Sequence, residues 1–397
     1  MVTTDDLTRW RDEFPILSRS VYLISNSLGA MPRRTAENLA EYAEVWATRG
    51  VRGWEDRWWT MAAEVGGKIA RIVGAAPGSV SMHENVTTAH MVALSAIGPT
   101  GSRRRLVCSA MDFPSMVYLF RAQEAAGFEL TIVPGEDDLS MRTDRFLDAI
   151  DDSTAVVCFS QVLFRTSYIM DAAAIVARAH AVGARVLMDT YQSAGIIPID
   201  LSALGVDFAA GGCLKWLCGG PGNAFLYTRP DLLRSAKPAF TGWLSHRAPF
   251  DFDTDAFDAR DDAMRMMNGT PSIPAYYAAL AGLDIIHDAG VDRIRARSRA
   301  MTTHLLELVD RYGFTSAASR DPDRLAGTVA VDVPEALRVS RTLKAREFIV
   351  DYRPPVGIRI SPHFYNTTEE LDRVMAEIAA IVERKDYQDG DAATVVT

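Results

Sequence analysis

Three neighbouring segments carry most of the information about the fold: the apolar runs Ala184-Arg-Val-Leu-Met-Asp189 and Val206-Asp-Phe-Ala-Ala210, then Gly211-Gly-Cys-Leu-Lys-Trp-Leu-Cys-Gly-Gly-Pro-Gly222. Short apolar runs bounded by turn residues are typical of buried β-strands. Asp189 ends the first run, and Lys215 lies in the glycine-rich segment after the second. In open α/β sheets, ligands bind at the carboxyl ends of the strands. Both residues are therefore predicted to lie at the ligand-binding edge.

An acid that closes one strand and a lysine that follows the next form the arrangement that a pyridoxal 5'-phosphate (PLP) enzyme needs. The lysine amine forms a Schiff base with the cofactor aldehyde. The carboxylate keeps the pyridine nitrogen protonated, so that the ring accepts electrons from the substrate Cα. The same two residues also fit a plainer interpretation, a strand-end acid and a solvated lysine.

The sequence around this pair alternates between apolar runs and helical stretches. The clearest helix covers 171–182, with Asp171 as N-cap and Gly183 as the residue that stops it. Such alternation predicts an α/β fold, with a mostly parallel, doubly wound sheet and helices on both faces. The expected strands are 105–109, 129–133, 155–160, 185–189, 207–210 and 224–227.

Four parts make up the predicted domain organisation. Residues 1–60 contribute to the small domain and to the mouth of the site, and 61–285 form the large cofactor-binding domain. Residues 286–385 form a small C-terminal α+β domain, and 386–397 a disordered tail. One long helix is expected over 274–311, and Asn366 with Glu369 predicts a capping box at the start of the last helix.

Composition excludes several classes of function. The 397 residues carry a net charge of -9, which argues against nucleic acid or an anionic membrane as the main partner. The sequence shows no long apolar span and no secretory signal, so a cytoplasmic protein is expected. The cysteines at 108, 158, 213 and 218 are expected to be small core or pocket residues, with no disulfide framework and no metal site.

With these features in place, the chain resembles the aminotransferase class V branch of fold-type I PLP enzymes, and within it is most similar to the kynureninases. The resemblance runs from about residue 20 to 380 and depends on the order and spacing of several segments. They are Tyr22-Leu-Ile-Ser-Asn-Ser-Leu-Gly29, Glu84-Asn-Val-Thr-Thr-Ala-His90, Asp112-Phe-Pro-Ser115, Gly205-Val-Asp-Phe208, Lys215 with its Gly-Pro-Gly tail, Thr241-Gly-Trp-Leu-Ser-His246 and Asp351-Tyr-Arg-Pro-Pro-Val-Gly-Ile-Arg359.

Four further residues belong to the expected cofactor site. Val86, Thr87 and Thr88 precede a helix expected to start near Ala89, and N–H groups with a hydroxyl at a helix N-terminus bind phosphate. Thr87 also fits a plain N-cap. Phe113 matches the aromatic residue that stacks on the pyridine ring in kynureninases, but it also fits a buried core position.

Arg359 lies between two isoleucines, and an arginine among apolar residues needs an anion. The resemblance implies that this anion is the substrate α-carboxylate, with Asn26 and Ser27 supplying a loop to it. An internal ion pair is the alternative. The resemblance implies that Trp243 lines the cofactor and substrate pocket of the neighbouring subunit, and that the Thr270 hydroxyl reaches the cofactor phosphate there. It therefore implies a homodimer with shared active sites.

Four positions depart from the kynureninase pattern. Gln192 stands where the family has His, and it can still donate a hydrogen bond to the 3'-oxygen of PLP but cannot carry a proton. Leu214 replaces a Tyr whose hydroxyl serves phosphate and carbonyl chemistry. Met116 replaces an Asp, and Thr270 an Asn that helps to bind the aryl ketone.

The resemblance implies a PLP lyase or hydrolase that cleaves a bond at the β-carbon of an L-α-amino acid. A kynurenine-type substrate would give an anthranilate and alanine, and a relative from secondary metabolism also fits. The departures fit a carbon–sulfur β-lyase acting on a cysteine conjugate, which needs only Cα deprotonation and a thiolate leaving group.

Other functions are less favoured by the sequence. Transamination, decarboxylation and epimerisation share the early steps. A cysteine desulfurase needs a nucleophilic Cys on a mobile loop in the C-terminal part of the chain. This function is disfavoured because all four cysteines precede residue 219. A non-catalytic relative of the fold is disfavoured because Lys215 and Asp189 are both present.

Overall fold

A computed structural model describes residues 4–137 and 139–387. The described strands are β1 (Val21–Tyr22), β2 (Val80–His83), β3 (Arg105–Ser109), β4 (Glu129–Val133), β5 (Thr154–Ser160), β6 (Arg185–Asp189), β7 (Phe208–Gly212), β8 (Ala224–Thr228), β9 (Val329–Val331), β10 (Phe348–Ile349), β11 (Asp351–Arg353) and β12 (Gly357–Ile360).

The described helices are α1 (Arg33–Arg49), α2 (Trp59–Ile72), α3 (Val86–Ile97), α4 (Pro114–Ala122), α5 (Thr143–Asp148), α6 (Ala172–Ala181), α7 (Leu201–Leu204), α8 (Pro230–Leu233), α9 (Ile273–Ala289), α10 (Val291–Arg311), α11 (Ala336–Ala345) and α12 (Thr368–Arg384). Short 3-10 turns cover Thr4–Glu13 and Pro15–Ser18 at the start of the chain. No helix of the described residues is long and apolar enough to cross a membrane.

A seven-stranded sheet in the order β2-β8-β7-β6-β5-β3-β4 forms the centre of the large domain. The strands from β7 to β4 are all parallel, whereas β8 runs antiparallel to both of its neighbours. The prediction of a mostly parallel sheet is therefore confirmed. The edge strand β2 was not predicted.

Strand β6 shows why this sheet is covered on both faces. Val186 and Met188 belong to one hydrophobic cluster, and Leu187 belongs to a second. Successive side chains of a strand point to opposite faces, so a strand that is apolar throughout needs helices on both sides. The doubly wound arrangement follows from this pattern.

Local capping signals fix most helix limits. Asp171 accepts a hydrogen bond from the N–H of Ala174 at the start of α6, and Gly183, with φ +76°, follows its end, as predicted. The expected long helix over 274–311 is wrong. It divides at Gly290, whose φ of +82° is in the left-handed region and ends α9.

The last helix begins one residue later than predicted. Thr367, not Asn366, is the N-cap of α12, and Glu370, not Glu369, completes the capping box. Asn366 instead donates from its side chain to the backbone carbonyl of Tyr22.

A second, smaller core lies at the C-terminal end of the chain. The antiparallel sheet β11-β12-β9 packs with α10, α11 and α12, and Val21 and Leu23 join the same cluster. The N-terminal strand β1 pairs in parallel with β10. The N-terminal segment thus contacts the C-terminal part of the chain through this pairing, whereas the predicted division into domains stays a prediction. Of the tail predicted at 386–397, residues 388–397 lie outside the described residues.

Candidate active site

Asp189 and Lys215 meet at the carboxyl-terminal edge of the central sheet. Asp189 is the last residue of β6 and is 6% exposed, and Lys215 lies in the loop after β7, the neighbouring strand. Both line a cavity of about 290 Å³, which Lys215 enters as a half-buried side chain. The alternative of a solvated surface lysine is therefore wrong. The cavity is lined by Asn85, Val86, Thr87, Phe113, Ser115, Met116, Ser160, Val162, Phe164, Asp189, Tyr191, Gln192, Leu214 and Lys215.

Burial shifts the ionisation of this pair. Desolvation lowers the pKa of the Lys215 amine; Asp189 acts in the opposite direction, and Arg359 and Arg353 add to the lowering. Desolvation has the opposite effect on the carboxyl group and raises the pKa of Asp189. The hydrogen bond from the N–H of Tyr191, at 2.8 Å, and the nearby Lys215 act against this rise. Burial thus increases the share of neutral amine, and a neutral amine is the form that attacks a carbonyl group.

His90 lies behind Asp189 and was not predicted as a site residue. Its Nε2 is 3.6 Å from Oδ2 of Asp189, and burial lowers the pKa of His90 to about 4. A neutral imidazole therefore faces the carboxylate. The signal in the sequence was its position one turn after Val86, on the helix whose first turn borders the cavity.

The expected phosphate-binding segment is the first turn of α3, which starts at Val86 and not near Ala89. Asn85 is the N-cap and accepts from the N–H of Thr88 at 3.0 Å, so the alternative of Thr87 as N-cap is wrong. The Thr88 hydroxyl also donates a hydrogen bond to Oδ1 of Asn85 at 3.2 Å, and Thr88 does not line the cavity. Val86 and Thr87 do line it, and the first N–H groups of a helix have no partner within the helix.

Phe113 is 43% exposed and faces the cavity, so a buried core position is wrong. It precedes α4 and packs edge-to-face on Phe164, with 5.1 Å between the ring centroids. The position leaves a face of the Phe113 ring accessible to a ligand.

Gln192 joins three parts of the chain. Its Nε2 donates to the backbone carbonyl of Asn26 at 2.9 Å, and its Oε1 accepts from Nε1 of Trp216 at 2.9 Å. The carbonyl of Trp216 in turn accepts from Nε2 of His363 at 2.8 Å. The loop that carries Lys215 is therefore held from both sides, and one N–H of Gln192 stays available to a ligand.

Asn26 is 1% exposed, yet neither its side-chain oxygen nor its side-chain nitrogen has a hydrogen-bond partner among the described residues. Buried amide groups in folded proteins are almost always satisfied. A ligand that supplies partners to this amide is the simplest explanation.

Arg359 is 3% exposed and pairs with Asp351 through two hydrogen bonds, one of them 2.9 Å from Nε to Oδ1. It also donates to the carbonyl of Phe164. Of the two predicted partners, the internal ion pair is the one that the structure contains. These bonds use three of the five N–H groups of the guanidinium, so two are left for another anion.

Six predicted residues do not line the cavity of their own chain: Thr88, Asn26, Ser27, Trp243, Thr270 and Arg359. Trp243 packs on Trp59, with 5.4 Å between ring centroids, and lines a separate groove. The departures Leu214 and Met116 do line it, which makes the wall around Lys215 more apolar.

Tyr191 was not singled out from the sequence, although it lines the cavity and lies two residues after Asp189. Burial raises the pKa of its phenol, so the hydroxyl stays protonated at neutral pH. The available signal was a bulky aromatic residue two positions after the strand-end acid.

Comparisons with known proteins agree with this geometry. The family described as aminotransferase class-V matches residues 21–374. The chain is 30% identical over 400 residues to a kynureninase of Bacillus cereus, covering 97% of this chain and 93% of that protein. It is also 30% identical over 376 residues to the uncharacterized aminotransferase YcbU of Bacillus subtilis (strain 168), covering 94% and 97%.

Solved structures share the fold. The apo cysteine desulfurase of Thermococcus onnurineus NA1 matches with a TM-score of 0.84 at 20% identity, over 95% of this chain and 98% of that one. The cystine C–S lyase C-DES, in complex with cysteine persulfide, matches with a TM-score of 0.81 at 21% identity, over 92% and 99%. The predicted fold class is confirmed.

Proposed function

The chain belongs to the aminotransferase class-V family of PLP-dependent enzymes, and on that basis we propose that it cleaves a bond at the β-carbon of an L-α-amino acid. The observation that carries the proposal is the cavity in which Lys215 and Asp189 meet beside Phe113 and the first turn of α3. This arrangement has a covalent attachment point, a carboxylate, an aromatic face and the first N–H groups of a helix around one cavity.

The residues of the cavity fit PLP. Lys215 supplies the amine that attaches the cofactor, and Asp189 pairs with the pyridine nitrogen. The protonated nitrogen of a bound ring would restore the charged form of the Asp189 carboxylate, which burial alone disfavours. The N–H groups of Val86 and Thr87 suit the phosphate, because a helix N-terminus attracts anions.

When bound, PLP supplies an electron sink for the charge that develops at the substrate Cα. The chain's own residues orient the substrate and move protons. Lys215 Nζ takes the proton from Cα, because burial favours its neutral, basic form. Phe113 and Leu214 exclude water from the space beside it.

Asn26 and Arg359 are the proposed binding groups for the substrate α-carboxylate. The buried Asn26 amide has donors without partners, and two N–H groups of Arg359 are not used by Asp351 or Phe164. Ser27 extends the same loop. A carboxylate bound here would satisfy the amide and fix the orientation of Cα over the cofactor ring.

A kynurenine-type substrate is the first choice for the scissile group. The curated relatives that align over nearly the whole chain are named kynureninases. A cysteine conjugate is the second candidate, and Leu214 and Gln192 favour it. Neither side chain titrates, whereas hydrolysis at a γ-ketone needs additional proton transfers and loss of a thiolate does not.

Incubation of the purified enzyme with L-kynurenine and with a panel of S-substituted cysteines tests both candidates. Anthranilate with alanine indicates the first reaction, and pyruvate with a free thiol indicates the second. Lys215→Ala is the control that should abolish either one. An enzyme that binds PLP but forms neither set of products would contradict the proposed bond cleavage.

A homodimer with shared active sites is part of the proposal. Trp243 and Thr270 lie away from the cavity of their own chain, which is what residues that serve a neighbouring copy require. Sedimentation of the holoenzyme should give twice the 43.6 kDa chain mass. A monomer with full activity would refute the shared site. Localisation in the cytoplasm is proposed from the sequence alone.

A further inference from the structure

Two aromatic rings face the Lys215 amine. Nζ is 4.5 Å from the centroid of the Tyr191 ring and 5.7 Å from the centroid of the Phe113 ring. Both rings line the same cavity as Asp189. A flat ligand attached to Nζ and paired with Asp189 would therefore lie close to two aromatic surfaces.

Gly212 provides the space that Tyr191 occupies. A Cβ atom at this position would lie 2.6 Å from Cε2, 2.7 Å from Cζ and 2.8 Å from the hydroxyl oxygen of Tyr191. Real Cβ contacts are not that short. Any side chain at 212 would thus displace the phenol ring from its present position.

The backbone does not explain this glycine. Gly212 is the last residue of β7, and it is not one of the glycines with a positive φ. Glycine inside a strand often marks a place where another group approaches closely. The approaching group here is the Tyr191 ring, so Gly212 and Tyr191 form a matched pair.

Tyr191 is also fixed relative to Asp189. Its N–H donates to Oδ1 of Asp189 at 2.8 Å, so the carboxylate and the ring are held by one turn of the backbone. Its hydroxyl has no hydrogen-bond partner within the described part of the chain. The ring is therefore positioned by the chain and not by a bond from its phenol.

We propose that Tyr191 forms the second wall of the cofactor site, stacking on the face of the pyridine ring opposite Phe113, and that Gly212 is the residue that admits it. The inference rests on the proposed use of PLP at Lys215. Offset aromatic contacts are favourable beyond the area they bury, and two of them hold a flat ring against rotation about its bond to the lysine. Tyr191 is thereby assigned to cofactor binding, independently of which substrate the enzyme cleaves.

Cofactor affinity tests the inference without any turnover measurement. Apoenzyme is titrated with PLP, and binding is followed by the visible absorption and visible circular dichroism of the bound cofactor. Tyr191→Leu should raise the Kd about 2- to 12-fold, the range expected for loss of one aromatic contact, and should change the dichroic band. Tyr191→Phe should stay within about twofold of wild type, because the ring is retained. Tyr118→Leu, at a tyrosine that is 70% exposed, is the matched control.

The glycine gives a second, independent test. Gly212→Ala should weaken PLP binding in the wild-type background. In a Tyr191→Ala background the same change should have no further effect, because the clashing ring is gone. Circular dichroism in the far ultraviolet and the thermal midpoint of each apoenzyme show whether the variant is folded.

The outcomes separate this inference from the proposed function. If wild-type enzyme binds no PLP at Lys215, the proposed function fails. If wild type binds PLP but Tyr191→Leu binds it equally tightly, with an unchanged dichroic band, the stacking role is refuted. If Gly212→Ala lowers PLP affinity equally in the wild-type and Tyr191→Ala backgrounds, the matched pair is refuted.

Discussion

The packing of helix α9 on the loop that carries Lys215 can be tested by substituting Gly282. It lies in α9, and a Cβ there would be 2.6 Å from the carbonyl carbon of Cys218 and closer still to the carbonyl oxygens of Leu217 and Cys218. Carbon atoms pack favourably at about 3.5–4.0 Å. In Gly282→Ala, α9 and the loop would therefore have to separate by roughly 1 Å.

The expected effect has two opposing parts. Replacing a helical glycine by alanine stabilises by about 1 kcal/mol, whereas overpacking of this kind costs about 1–3 kcal/mol. Gly67 is the matched control, because it lies inside α2, where an added Cβ would meet no atom within 4 Å. Gly67→Ala should therefore show the gain in helix stability without the cost of overpacking. The two alanine variants should therefore differ by about 1–3 kcal/mol in unfolding free energy.

Thermal unfolding of both apoenzymes measures the difference, and PLP titration measures its effect on the site. Gly282→Ala should have the lower thermal midpoint and the weaker cofactor binding, since the displaced loop carries Lys215. If Gly282→Ala is as stable as Gly67→Ala and binds PLP as wild type does, the close contact between α9 and the loop is not as described.

Three further predictions concern charged and titrating groups. Asp189→Asn should retain some PLP but lower kcat more than roughly 100-fold, as expected for loss of one partner of a buried charge pair; activity within a few-fold of wild type would contradict its role. Arg359→Lys should raise KM and lower kcat while the resting visible spectrum stays unchanged, because lysine lacks the forked donors; a changed resting spectrum would point to a purely structural pair with Asp351. Burial lowers the pKa of His363 to about 4 from 6.5, so this group's stability contribution is complete above pH 6.5 and is lost as the pH falls towards 4. Denaturant unfolding should show about 2 kcal/mol of this loss by about pH 5 in wild type and none in His363→Gln, and an equal pH dependence in both proteins would overturn the assignment.

Local sequence patterns determined the parallel sheet and its ligand-binding edge. The apolar run that ends at Asp189 predicts a strand buried on both faces, and the glycine-rich segment around Lys215 predicts a loop after the next strand. Asp171 and Gly183 mark the limits of α6 for the same reason, since capping involves residues within one turn of each other. Interactions between residues this close in the chain can be predicted from the sequence alone.

The sequence was misleading or left alternatives open where a long-range contact or a single backbone angle selected between local possibilities. Gly290 divides the helix expected over 274–311 through a positive φ, which the helical pattern on both sides conceals. Arg359 was known to need an anion, but which anion depends on the pairing of β11 with β12, which places Asp351 opposite it.

The rest of the site depends on contacts between elements that are distant in the chain. His90 reaches Asp189 across 99 residues of sequence, and the Gln192 amide is engaged by a backbone carbonyl 166 residues away. Tyr191 and Gly212 lie on neighbouring strand ends, so the fit between ring and missing side chain exists only once β6 and β7 pair. Periodicity and capping determine which residues form each element, whereas contacts between elements depend on sheet order and packing, for which a single sequence carries no local signal.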